Sequence, residues 1–394
     1  MSVDVRARPD LAILVEPRPV RRPWRSALLA ALAVWSASAV VHVAVGSFAW
    51  LTYKGAGPAP DLWSVALAWN GWDAGHYVRI AESGYHLGPG FPAFFPLYPM
   101  LIHLFGGGPA AALFVAHAAA FGALALLYRL ADYEFGPRVA QRAAWYLAAF
   151  PMGFFLFIGY NESLFLLLMV GALYAARRGH WWLAGTLGAL SSATRLFGVL
   201  LIAPLAVEYL RQAGWRPRRV RPDVLSLALV PLGVAGYSIY CWIELGSPVQ
   251  FSIAQDEWGR RYTFPGEAWL ISIRQIAGHG PLDKATLGAV LDAGTVLVAV
   301  VLLILCVKGP FKFRPDQRYL VVQAGITLVM LMSTEVGGRS MQSAARYAME
   351  AVAIFLVLAR MGAHQVIDRA VLVIGAALQA VLLVVFMAGT FLVA

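Results

Sequence analysis

The residues able to do chemistry lie in short polar stretches of an otherwise apolar chain. WNGWDAGHYVRIAESGY, residues 69–85, brings a carboxylate, an imidazole and a guanidinium close together. Taken as a helix from Asn70, its i, i+3, i+4, i+7 spacing puts Asp73, His76, Tyr77 and Ile80 on one face, while Arg79 and Glu82 pair on another. Asp73 beside Trp72 is placed to act as a general base toward a hydroxyl nucleophile. Read structurally, it is a first-turn acid complementing the helix dipole under an Asn70 cap. His76 completes a D-x-x-H pattern, but one Asp and one His do not make a metal site.

Three further stretches carry charge. GYNESLFLLL, residues 159–168, opens an apolar helix with Asn161 and Glu162. These two are either a cap and its first-turn acid or a functional pair, because an ionisable side chain at membrane depth needs a partner or water. SSATRLFGVLL, residues 191–201, carries Arg195, for which Glu162 is an available acid. RSMQSAARYAMEA, residues 339–351, places Arg339, Arg346 and Tyr347 at the mouth of another apolar segment, where arginines either face a ligand or snorkel. Asp132 and Glu134 form one more acidic pair, read as a solvated turn.

These residues must be held by a membrane bundle. The 394 residues are 60% hydrophobic and 13% charged, with a mean hydropathy of +0.68, whereas soluble domains are about half apolar and a quarter charged. The apolar residues fall in blocks of roughly 20, the length that crosses about 30 Å of hydrocarbon as a helix. The net charge of +10 is spread over short connections rather than gathered in one stripe, so it points to membrane topology and not to nucleic acid. Cys241 and Cys306 stand near the ends of different blocks, which excludes a disulfide framework and a CxxC metal motif.

Basic residues belong in cytoplasmic loops, and this rule orients the chain. Residues 1–23 read as a disordered basic cytoplasmic arm, followed over 24–394 by a single transmembrane domain. The spans fall at 26–51, 109–131, 139–158, 161–176, 223–245, 285–307, 318–333, 346–360 and 368–393. The block 181–210 reads as two short re-entrant helices broken near Arg195, giving an all-α polytopic bundle of roughly eleven membrane helices. The long segments 52–108 and 246–284 then lie outside, and Pro92, Pro96 and Pro99 make 91–106 an interfacial helix rather than a span. Asp73, Glu162, Arg195 and Arg346 map to this outer face, where one polar cavity can collect them. Nucleotide-activated donors are cytoplasmic, so an enzyme working outside needs a donor that crosses as a lipid.

WDAGHYVRIAESGY, AFFPLYPMLI, NESLFLLL, SATRLFG and SAARY occur in the order of the motifs of the PIG-V family, and the chain resembles that family over residues 69–350. This is the family of GPI second-mannose transferases and their bacterial relatives, within the GT-C glycosyltransferases. The resemblance implies a multi-span transferase that moves a sugar, usually mannose, from a polyprenyl or dolichyl phosphate to an acceptor hydroxyl with inversion. It assigns Asp73 as the base, Glu162 as the motif acid and Arg346–Tyr347 as the late Arg-Tyr. His76, Tyr77, Arg79, Glu82, Asn161, Arg195 and Arg339 join them as candidates for lining the substrate cavity. The acceptor class is a cell-envelope glycolipid, glycan or protein, and the expected location is the plasma membrane. No ligand cluster argues for a divalent ion, although metal assistance at the phosphate stays open. The rival class is a transporter or lipid flippase, which also uses buried charge and broken helices. Against it stand the missing inverted repeat and the gathering of polar residues at one face.

Overall fold

In a computed structural model the chain is described over residues 24–54, 64 and 69–389. The basic arm, residues 55–63 and 65–68 of the first outer segment, and the end of the last span at 390–393 lie outside the described residues. The opening span is α1, Trp24–Lys54, uninterrupted by Gly-Pro punctuation. It turns the small residues Ala27, Ala31 and Val34 inward and leaves Leu28, Leu29, Leu32, Val43 and Phe48 exposed. Large apolar side chains outside and small ones inside are the pattern of a helix facing lipid, since close backbone approach replaces the hydrophobic drive there. α2, Asp73–Ser83, and α3, Leu97–Leu104, follow as short helices packed together.

The centre is α4, Gly108–Phe135, against α6, Glu162–Arg177, with α5, Pro137–Ala148, alongside. Alanines 112, 116, 119, 120 and 123 give α4 a flat buried face, which permits that tight packing. α7, Trp181–Thr194, ends at Arg195 in extended backbone, and α8, Ile202–Gln212, begins after a 3₁₀ turn, so the expected break at Arg195 is present. The expected span 223–245 is a pair bent by 44°: a 3₁₀ segment, Pro222–Leu229, and α9, Leu232–Leu245. After α10, Gln250–Glu257, and α11, Pro265–Gly278, come α12, Lys284–Val307, α13, Arg318–Leu331, α14, Val352–Met361, and α15, Gln365–Met387.

Among the described residues, four helices are long and apolar enough to cross a membrane alone, and a fifth crossing results if the bent pair counts as one. The protein is a multi-pass membrane protein, but the expected eleven membrane helices are not reached on this measure. The block 346–360, for example, breaks into the single turn Ala344–Tyr347, a 3₁₀ turn and the ten residues of α14. Nor is the fold wholly helical. The second long connection and the short stretch after α13 meet in a three-stranded antiparallel sheet of β1, Arg260–Tyr262, β2, Thr334–Val336, and β3, Arg339–Ser340. Arg260 pairs with Val336 and Tyr262 with Thr334, and Gly337 and Gly338 turn the β2–β3 hairpin at φ 57° and 81°. Strands of two or three residues are too short to show a period in sequence.

Candidate active site

Asp73 is the first residue of α2. The expected helix start at Asn70 is corrected: Trp72 occupies the N-cap position at φ 57°, no side chain caps the helix, and both polar atoms of the Asn70 amide are buried without a partner. The Asp73 N–H donates to the Tyr160 hydroxyl at 3.3 Å. Its carboxylate Oδ2 accepts from Arg346 Nη1 at 3.3 Å, while Oδ1 has no partner among the described residues. At 32% exposure the Asp73 side chain opens onto a cleft of about 1120 Å³, mouth included.

Glu162 begins α6 on the cleft wall. Its Oε1 lies 2.6 Å from Arg195 Nη2 and 3.2 Å from Arg346 Nε, distances of ion pairs whose angles fall short of aligned hydrogen bonds. Arg195 Nε donates to Asn161 Oδ1 at 2.9 Å and Nη1 pairs with Glu350. The Asn161 amide in turn donates to the Thr194 carbonyl at 3.1 Å. Arg346 Nη2 donates to the Tyr347 hydroxyl at 2.5 Å, and the Tyr347 ring lies under both guanidinium groups, at 4.6 Å from Arg346 and 4.8 Å from Arg195. Residues from four distant stretches therefore form one buried network, and burial of both arginines is offset because each meets two carboxylates. Backbone strain surrounds it: Trp72, Met341 and Ser343 are three of the four non-glycine residues with positive φ among those described. The loop carrying Arg346 is also pinned from below, where the Ala345 N–H donates to buried Asp292 at 2.8 Å.

Tyr77 lines the cleft as the α2 face predicts, and burial pushes its hydroxyl well above the usual range, so it remains a neutral donor. His76 stands behind that wall, ringed by Phe91, Phe94 and Trp258 at centroid distances of 5.4, 5.2 and 5.1 Å. Burial lowers its pKa, opposed by Asp73 and assisted by Arg79. The expected Arg79–Glu82 pair does not form among the described residues: exposed Arg79 lies over the Phe91 ring at 4.9 Å, and Glu82 is exposed away from the cleft. Arg339 belongs to β3 and is not among the cleft-lining residues. No group of three or more His, Cys, Asp and Glu side chains able to hold a metal is present among the described residues.

Several residues in or beside the cleft escape sequence reading. Glu350, the second acid of Arg195, stands four positions after Arg346, a spacing that brings it back onto the same face and could have marked it. Gln255, Trp258, Arg260 and Tyr262 enter from the second long connection, and Gln342 and Ser343 from the loop after β3. The reading of Asp132 and Glu134 as a solvated turn is corrected as well. Both are buried; Glu134 accepts from Arg177 at 2.6 Å, Tyr319 at 2.8 Å, Gln317 at 2.9 Å and Arg314 at 3.2 Å.

A polar cleft on a multi-pass helical scaffold is also the arrangement of a solved membrane protein. The fold of this chain is similar to that of ArnT from Cupriavidus metallidurans, solved bound to undecaprenyl phosphate, with a TM-score of 0.51 and 15% identity over 90% of this chain and 76% of that one. Residues 61–213 match the family described as mannosyltransferase (PIG-V). The chain is 30% identical over 203 residues to GPI alpha-1,6-mannosyltransferase 2 of Mus musculus, covering 45% of this chain and 41% of that protein. Against the Rattus norvegicus protein of the same name it is 30% identical over 215 residues, covering 51% and 42%. Over residues 61–213 the chain thus resembles the PIG-V family, and it matches only about two fifths of the length of those relatives.

Proposed function

We propose that the protein is an inverting glycosyltransferase. It moves a mannosyl or similar residue from a polyprenyl-phosphate sugar to a hydroxyl of an extracytoplasmic acceptor, with Asp73 as general base. The observation that carries this reading is the Asp73 carboxylate, held through Oδ2 by Arg346 and open to the cleft. The acceptor oxygen attacks the anomeric carbon, its proton passes to Asp73, and the bond between the anomeric carbon and the phosphate oxygen breaks on the opposite face. Phosphate leaves without a general acid, so one carboxylate serves where a glycosidase needs two. The names of the mammalian relatives support mannose as the sugar, and the lipid phosphate bound to ArnT makes a prenyl phosphate the first carrier to test.

Arg346 and Tyr347 act as positioning residues, since their contacts fix the carboxylate rather than reach past it. Glu162, Arg195 and Asn161 hold that arrangement from the α6 side. The charged cluster gathers at the start of α6 rather than midway along it, which supports transfer over transport. We further infer a plasma-membrane location with the cleft on the outer side. The test is incubation of membranes with radiolabelled polyprenyl-phosphate mannose. Asp73→Asn should lower transfer to acceptor by about 10²–10⁴-fold while the protein still purifies folded. Unchanged transfer would remove the base assignment.

A further inference from the structure

We propose that Arg260 is the residue that receives the phosphate group of a substrate in this cleft, an inference that rests on the transferase reading above. A phosphate ester entering the cleft needs a cation that is not already spent. Three arginines line it, Arg195, Arg260 and Arg346. Arg195 is held by Glu162 and Glu350, and Arg346 by Asp73 and Glu162, so drawing either onto a phosphate would strip a buried carboxylate of its partner. Arg260 differs. It makes no ion pair or side-chain hydrogen bond among the described residues, and its Nε is buried without an acceptor. A buried guanidinium N–H left unmade is costly, and an anionic oxygen removes that cost.

Its position is set by the sheet. Successive side chains on a strand alternate faces, so β1 sends Arg260 and Tyr262 into the cleft and Arg261 away from it. Pairing with Val336 of β2 fixes that register, and β2 continues through the hairpin to the loop carrying Arg346. Arg260 is thereby anchored to the same backbone that positions the partner of Asp73. Gln255 and Trp258, lining the cleft from the preceding helix and turn, flank it with an amide and an indole ring. The Trp258 N–H donates to the Gly90 carbonyl at 2.9 Å, which holds that ring in place. The ligand class is a phosphate mono- or diester, whether carried on a lipid or free.

Binding to the purified full chain in detergent tests this directly, with farnesyl phosphate, farnesol and inorganic phosphate as probes in thermophoresis. Arg260→Ala should weaken farnesyl phosphate binding about ten- to a hundredfold, leave farnesol unchanged and keep the wild-type melting temperature. Arg260→Lys should recover part of the loss, and Arg261→Ala should bind as wild type. Tighter binding of farnesyl phosphate than of inorganic phosphate, both dependent on Arg260, assigns the group to a lipid carrier; equal affinities assign it to free phosphate. Wild-type affinity in Arg260→Ala overturns the proposal, as does an equal loss for farnesol or for Arg261→Ala. Because binding is read without turnover, this failure is distinct from that of the base assignment, which only the Asp73→Asn transfer assay reports.

Discussion

Glu162 is the most exacting single residue of the site. It is 3% exposed and shared by two arginines that are themselves buried. Replacing its charge while keeping its shape, as in Glu162→Gln, leaves both cations under-compensated, and breaking a buried pair of this kind costs about 3–5 kcal/mol. The expected outcome is a marked drop in melting temperature along with lost transfer, measured by thermal unfolding in detergent. His76 gives a pH-dependent prediction. Its folded-state pKa is lowered by burial, so the neutral ring is favoured and the unfolded chain binds more protons below the ordinary value of about 6.5. Stability is therefore full above that pH and falls as the medium is acidified through it. Melting curves between about pH 7 and 5 should fall less steeply for His76→Phe than for the wild type, and parallel curves would discard the effect. The pairing of Arg195 with Glu162 was legible from sequence because an arginine at membrane depth needs an acid. Arg260 was not: an arginine in a long polar connection has no periodic or burial signature until a second connection pairs with it.

Helices were legible where hydrophobic runs were long and became harder to read where the chain bends within a run. α1, α4, α12 and α15 lie close to their expected limits, because a run of roughly 20 apolar residues has no other stable form in lipid. The break at Arg195 was foreseen, but the bent pair and the small sheet were not, since each depends on contacts between distant segments. The crossing of α9 over α7 shows how tight those contacts are. A Cβ on Gly233 would come within 2.1 Å of the Ala189 carbonyl oxygen and 2.5 Å of the Ala193 nitrogen, whereas one on Gly236 meets nothing within 4 Å. Gly233→Ala should therefore destabilise by about 1–3 kcal/mol and Gly236→Ala should not, which paired thermal melts would decide.

Across the whole molecule, polar clusters hold the two ends of one apolar bundle. α6 runs from Glu162 in the cleft to Arg177, which reaches Glu134, Asp316 at 2.5 Å and Glu208 at 3.3 Å. At 1.5 Å per residue the two lie roughly 22 Å apart, about three quarters of the roughly 30 Å hydrocarbon layer. Orientation is tested with an impermeant maleimide on intact cells. Leu282→Cys, 85% exposed in the native residue, should react from outside, and exposed Arg218→Cys only after permeabilisation. Native Cys241 and Cys306 are buried and should stay silent. The reverse labelling would invert the topology. The partnership of β1 with β2 and β3 also bears on how the protein is made. During synthesis, a ribosome that has passed α12 has already delivered Arg260 but not the strand that fixes it, so the binding wall closes only once Thr334–Ser340 has emerged. Stalled or truncated nascent chains should consequently insert into the bilayer yet be unable to capture a lipid substrate.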